Sequence, residues 1–175
     1  MRFIAVTGAL GAGKTSSMER FAAMMRTRGL SLGGVLQVSQ RLPSGRRAYL
    51  ARSLITRDSA LVAMVGGPGM SPIFFPEGFA WAADRILAPA EVCVIDELGW
   101  MEADGRGHWP AVQQLLRQER SGMLLVAVRQ DLLERFSRIL VFEDVWRVYR
   151  GKKPPLERWV EHVVASLGTE GREQG

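Results

Sequence analysis

The chain has 175 residues, of which 47% are hydrophobic and 23% charged, a balance that excludes a disordered chain and suits one domain with a real core. No apolar run approaches the length of a membrane span, and a single cysteine, Cys93, excludes an internal disulfide and a cysteine-based metal cluster. The formal charge of +5 raises nucleic acid as a partner, but the cations are mostly arginines spread along the chain, with lysine only at Lys14, Lys152 and Lys153; nucleic acid is therefore the weaker reading. Met1-Arg2-Phe3-Ile4 runs directly into the first predicted strand, leaving no room for a cleavable signal, so the cytoplasm is the expected location.

Residues 2–7 are short and mostly apolar, as expected of a buried parallel strand. Gly8-Ala9-Leu10-Gly11-Ala12-Gly13-Lys14-Thr15 follows, matching G-x-x-x-x-G-K-[ST], a loop pattern that cradles phosphates. Met18, Phe21, Ala22 and Met25 then recur at helical spacing. Strand, glycine loop and helix together give the motif a mechanism. Glycines let backbone N–H groups turn toward phosphate oxygens, and the helix start adds free donors and a positive dipole end. Residues Gly8 to Ser16 are the predicted nucleotide cradle. Lys14 would reach the β- and γ-phosphates and the Thr15 hydroxyl would hold Mg²⁺.

Arg28-Gly29 ends the first helix by composition. Residues 33–38 read as a second strand, Leu42-Pro43-Ser44-Gly45 as a turn and residues 46–52 as the returning strand of a hairpin. This hairpin carries Arg41, Arg46, Arg47 and Arg52, which serve either as a solvated ribbon or as a basic flap over phosphates or base. Residues 61–65 suggest a short strand broken by Gly66-Gly67-Pro68-Gly69, too far from a strand-to-helix junction to be a second phosphate loop. Pro76 opens a helix through Leu87 with Phe79, Ala83, Ile86 and Leu87 inward, and Trp81 reads as a packing or surface aromatic.

Residues 91–97 form an apolar strand ending in Asp96-Glu97, the Walker B pattern, ~80 residues beyond the loop. Asp96 would help to hold Mg²⁺ and Glu97 would orient or deprotonate an attacking water. A helix with Trp109, Val112, Leu115 and Leu116 inward leads to a buried strand over 123–128. Arg129 stands at the carboxyl end of that strand, where ligands of open α/β sheets bind, and is a candidate transition-state arginine or the partner of a surface carboxylate. A short helix uses Leu132, Leu133 and Phe136, and Val145–Tyr149 reads as the last strand. Pro154-Pro155 opens a final helix with Leu156, Trp159, Val160, Val163, Val164 and Leu167 inward, closed by Gly168. His108 and His162, far apart in sequence, read as solvated or packing residues. The expected architecture is a single three-layer α/β/α domain over 1–168, with a mostly parallel sheet, an added β-hairpin and a polar tail over 169–175.

These residues resemble a family of small P-loop nucleoside triphosphatases, first named from a thermophile, that split NTPs to NDP and phosphate. The resemblance covers most of the chain. It rests on the loop at Gly8–Thr15, on Gly33-Gly34-Val35 with its basic hairpin, and on Ile95-Asp96-Glu97-Leu98-Gly99-Trp100-Met101-Glu102, which is similar to the family's Asp-Glu-Ile-Gly-x-Met-Glu signature. Arg129 falls where the family tends to carry a basic residue. The resemblance implies a need for Mg²⁺ and acceptance of ATP, GTP or other NTPs. One stretch departs from the family: Gln37-Val38-Ser39-Gln40-Arg41 replaces the usual Thr-x-Glu-Val-Arg.

The leading expectation is an Mg²⁺-dependent NTP hydrolase with Lys14, Glu97 and Arg129 catalytic. Asp96-Glu97-Leu98-Gly99 also matches the D-x-x-G of GTPase switches, but their guanine-selecting Asn-Lys-x-Asp string is impossible in a chain without asparagine. A small-molecule kinase, with an acceptor pocket and a lid, and a nucleotide-binding adaptor or sensor with little turnover are the remaining alternatives.

Overall fold

The computed structural model describes residues 1–67, 69–118 and 120–170. Its strands are β1 (Arg2–Gly8), β2 (Leu32–Arg41), β3 (Arg47–Ser53), β4 (Ser59–Val65), β5 (Ile73–Phe74), β6 (Val92–Leu98), β7 (Met123–Arg129) and β8 (Phe142–Arg147). Its helices are α1 (Lys14–Thr27), α2 (Pro76–Leu87), α3 (Trp100–Ala103), α4 (Trp109–Arg117), α5 (Leu133–Ser137) and α6 (Leu156–Glu170). All eight strands form one sheet in the order β5-β4-β3-β2-β6-β7-β1-β8. From β2 to β8 every neighbouring pair is parallel, whereas β2-β3, β3-β4 and β4-β5 are antiparallel.

Alternation along each central strand divides the core between two faces. Ile4 and Val6 of β1, Val92 and Val94 of β6, and Met123, Leu125 and Ala127 of β7 face one apolar cluster with α1 and α6. Ala5, Cys93, Ile95, Leu124, Val126 and Val128 face the other, with α2, α4 and α5. Strands covered on both faces need unbroken apolar runs, which is why β1, β6 and β7 read so clearly. The three-layer α/β/α expectation holds. Cys93 is buried, and burial pushes its thiol up to about 12, in keeping with a structural role.

Two glycines let layers approach. A Cβ on Gly34 would lie 2.0 Å from the Val94 carbonyl oxygen, and Gly34 has φ +92. A Cβ on Gly78 would lie 1.9 Å from the Leu61 carbonyl oxygen, so α2 sits directly on β4 there.

Several expectations change at their edges. The hairpin is the start of a longer antiparallel extension, because β4 pairs with β3 and β5 pairs with β4. The buried positions of α2 are Gly78, Ala82 and Ile86. Phe79, Ala83 and Leu87 are only partly buried, because the close approach at Gly78 rotates the helix toward its small residues. In α4, Ala111 is buried and Leu116 is exposed. Strand β8 begins at Phe142 and ends at Arg147, set by its pairing along β1. Pro154 and Pro155 precede the first residue of α6, and Gly168 lies within that helix, which continues to Glu170. The predicted tail therefore starts as helix, and residues 171–175 lie outside the described residues.

Candidate active site

The carboxyl ends of β1, β6 and β7 lie side by side, and the sequence-predicted residues gather there. Gly8 ends β1, and a Cβ on it would sit 2.3 Å from the Val148 carbonyl oxygen, so a side chain is excluded. Gly11 and Gly13 take φ of +71 and +97, the left-handed values that turn the loop into α1. Ala9, Leu10, Gly11 and Gly13 are exposed, Ala12 is half-buried, and Ser16 is exposed on the first turn of the helix. Lys14 folds back over the loop, its Nζ donating to the carbonyl oxygens of Gly8 at 2.9 Å and Ala9 at 3.3 Å.

Thr15 and Asp96 meet across the end of the sheet through a side-chain hydrogen bond. The Asp96 carboxylate also accepts the Gln37 backbone N–H at 3.1 Å. Burial pushes its carboxyl up to about 6; the Thr15 and Gln37 hydrogen bonds and the Lys14 charge act the other way, and Glu97 adds to the rise. A buried carboxylate under this strain is one that a cation would relieve.

Glu97 has φ +107 at a break in the β6-β7 register between Ile95 and Leu98. That backbone is costly for a residue with a side chain, and the bulge aims Glu97 out of the strand. The Gln37 side-chain amide donates to Glu97 Oε2 at 3.0 Å, fixing the carboxylate. Glu97 thereby lines a cavity of about 400 Å³ together with Gly8, Ala9, Leu10, Lys14 and Arg129. Arg129 stands at its predicted strand end, but its guanidinium is held by Asp131 through paired contacts of 3.1 Å from Nε and Nη2. Arg129 thus lines the cavity while paired with the carboxylate of Asp131.

Four contributors were missed. Gln37 was noticed only as a departure from a motif, yet its backbone and side chain hold both Asp96 and Glu97. Glu102 is buried and accepts the backbone N–H groups of Gly99 at 2.9 Å and His108 at 3.0 Å, clamping the segment after Glu97. Burial raises its carboxyl against those hydrogen bonds. Asp131 carried no signal beyond lying two residues from Arg129. Arg150 brings a guanidinium nitrogen within 3.4 Å of the place a Cβ on Gly11 would occupy, a contact made by the loop after β8.

Other expectations settle outside the site. Arg52 pairs with Glu19 of α1, while Arg41 and Arg47 pair across the hairpin at its exposed tip. Trp81 lies under the Arg85 guanidinium, 3.9 Å from the ring centroid, as a packing aromatic. His108 is buried with its ring edge-on to Phe79, and burial lowers it to about 4. His162 is exposed, with its ring edge-on to Trp146. Among the described residues no group of three or more His, Cys, Asp or Glu side chains is placed to hold a metal ion, and no helix is long and apolar enough to cross a membrane.

A family model described as NTPase matches residues 3–150. Nucleoside-triphosphatase THEP1 of Thermofilum pendens is 30% identical over 148 residues, covering 80% of this chain and 81% of that protein. Nucleoside-triphosphatase THEP1 of Pyrococcus abyssi is 31% identical over 143 residues, covering 78% of each. The solution structure of a human cancer-related nucleoside triphosphatase superposes with a TM-score of 0.68 at 22% identity, covering 97% of this chain and 98% of that one, and shares the fold. The chain belongs to the NTPase family.

Proposed function

We propose that this NTPase-family chain binds a nucleoside triphosphate with Mg²⁺ between the 8–15 loop and Glu97, and transfers the γ-phosphoryl group to water, giving NDP and phosphate. The observation that carries this reading is Glu97, held in a strained bulge by Gln37 and facing the same cavity as Lys14. A carboxylate kept in a costly backbone conformation beside a phosphate-loop lysine is placed for work on a reacting group.

The loop amides and the start of α1 would carry the phosphate charge, and Lys14 would exchange its two carbonyl partners for phosphate oxygens. Glu97 would accept the proton of the attacking water, with Gln37 keeping its Oε2 in place. Arg129, preset by Asp131, would turn its guanidinium toward the charge that develops on the transferring group. The donor set fits Mg²⁺, a hard cation that takes one or two protein oxygens and keeps phosphate and water ligands. Thr15 and the strained Asp96 carboxylate would hold it, and it would neutralise phosphate charge. ATP, GTP and other NTPs all satisfy this chemistry, and the cytoplasm is the compartment that suits it.

The test is phosphate release from each common NTP with Mg²⁺, comparing the native chain with Glu97→Gln and Lys14→Ala. Glu97→Gln should lower turnover by about 10²–10⁴ while nucleotide binding survives. Lys14→Ala should weaken binding about 10–100-fold, the value of a hydrogen bond to a charged group. Tight NTP binding with no phosphate release by the native chain would overturn the reading in favour of an adaptor.

A further inference from the structure

A second cleft, of about 480 Å³, opens directly beyond the first and shares Leu10, Glu97 and Arg129 with it. Hydrolysis needs only a water there, yet the cleft is large enough for a one- or two-ring molecule. Its walls are mainly apolar and aromatic: Tyr49 of β3, Val62 and Val65 of β4, Phe74, Phe79 and Trp100. The rim exposes apolar surface to solvent, with Phe74 at 39% and Trp100 at 54%. Apolar exposure gathered at the mouth of a cavity marks a ligand surface. The cleft lies on the Glu97 side of the phosphate loop, whereas Arg150 and the loop after β8 lie against Gly11. A γ-phosphate next to Glu97 with the remaining phosphates along the loop toward Gly11 would direct the nucleoside to the Arg150 side and leave this cleft open.

We propose that this cleft binds an uncharged aromatic alcohol whose hydroxyl reaches Glu97 and accepts the γ-phosphoryl group in place of water. The inference rests on the NTP site described above. Charge selects the ligand class. The polar side chains of the lining are Gln37, Tyr49, Glu97, Trp100, Glu102 and Arg129; Glu102 already accepts from Gly99 and His108, the Gln37 amide donates to Glu97, and Tyr49 and Trp100 add one polar group each to otherwise apolar walls. Among the described residues Arg129 is the one cation of the lining, and it sits at the end shared with the first cavity. A nucleoside monophosphate or sugar phosphate would bury its anion against Phe74 and Phe79 with no cation to meet it, and a free sugar would leave most of its hydroxyls unmet. A flat ring with one projecting hydroxyl leaves no such debt. In the transfer, the alcohol oxygen bonds to the γ-phosphorus as the bond from that phosphorus to the β,γ-bridging oxygen breaks. The NDP leaves with the electron pair, and the alcohol proton passes to the Glu97 carboxylate and then to solvent.

The experiment supplies Mg²⁺ and γ-labelled NTP with benzyl alcohol, 4-pyridylmethanol or 2-naphthylmethanol as probes and glycerol as the control. It reads phosphomonoester and inorganic phosphate together by ³¹P NMR. The ester-to-phosphate ratio compares two acceptors on the same protein molecules, so partial misfolding of a variant does not move it. The expected result is saturable ester formation with an aromatic probe and none above background with glycerol. Val65→Trp, which fills the cleft, and Phe79→Ala, which removes a wall, should each lower the ratio about tenfold, the scale of one lost apolar contact group. Phosphate release with no ester from any aromatic probe overturns the acceptor site and leaves hydrolysis standing. Equal ratios for glycerol and the aromatic probes, or for native and variant chains, also overturn it. Ester without phosphate release in the absence of probe keeps the acceptor site and overturns hydrolysis, and neither product overturns both.

Discussion

Replacing Asp96 with Asn should stabilise the metal-free, nucleotide-free protein at neutral pH while abolishing its response to Mg²⁺ and NTP. The carboxyl of Asp96 is buried and pushed from 3.8 up to about 6, mainly by burial. A carboxyl with a raised native pKa contributes stability below pH 4 and loses that contribution as pH climbs through about 6. About two units at ~1.4 kcal/mol each gives ~3 kcal/mol as the full strain of holding the charge. Asparagine removes the charge but accepts the Gln37 N–H and the Thr15 hydroxyl less well, so a gain of ~1–2 kcal/mol is expected above pH 7. For a domain of this size that is a rise in Tm of ~2–8 °C. The assay is thermal or urea unfolding of both chains in EDTA from pH 4 to 8. The variant should be less stable by about 1 kcal/mol near pH 4, draw level near pH 5, and be the more stable of the two above pH 7. Equal or lower stability of the variant at pH 7.5 would refute the claim that Asp96 is strained in anticipation of a cation.

Arg129→Ala should lower kcat for NTP hydrolysis at least tenfold with little change in nucleotide affinity, read by steady-state kinetics and by nucleotide titration, since a cis arginine of this kind acts in the transition state. Asp131→Asn should leave affinity unaltered and change kcat by less than Arg129→Ala does, because it frees the guanidinium without removing it. Gly107→Ala should destabilise the fold by ~2 kcal/mol or more in chemical denaturation, because a Cβ there would lie 2.0 Å from Glu102 Oε1 at φ +61. His108, lowered to about 4 by burial, contributes stability above pH 6.5 that is lost as pH falls toward 4. Its slope opposes that of Asp96 over the same interval, so Asp96→Asn should make acid unfolding steeper and His108→Leu should flatten it.

What was legible in the sequence is what simple rules overdetermine. Ile4, Val94 and Leu125 belong to unbroken apolar runs because their strands are covered on both faces, and Gly8, Lys14 and Thr15 sit at a spacing that one backbone geometry requires. Leu116 is exposed, and the inward face of α2 is met only in part, with Ile86 buried and Phe79, Ala83 and Leu87 half-buried against the core, because apolar spacing fixes a stripe only to within a rotation. The rotation was decided by Gly78, whose missing side chain lets α2 settle on the Leu61 carbonyl. Glycine carries no hydrophobic signal, so such a contact is silent until the partner strand is known.

The same limit explains Gln37 and Glu102. Each acts across the fold or across a turn, on atoms whose positions a linear pattern does not encode. Gln37 opens the one stretch that departs from the family's usual Thr-x-Glu-Val-Arg. In three dimensions its N–H meets Asp96 and its amide meets Glu97, so one residue of β2 holds the strained carboxylate and the bulged one at once. A departure from a motif is therefore weak grounds for lost activity until the replaced contact has been traced. Gln37→Ala provides that trace: it keeps the backbone N–H on Asp96 and removes only the amide on Glu97. It should lower kcat about tenfold, as a misplaced general base does, while leaving nucleotide affinity near that of the native chain. An unchanged kcat would mean that the bulge alone orients Glu97 and that the side chain at this position is free to vary.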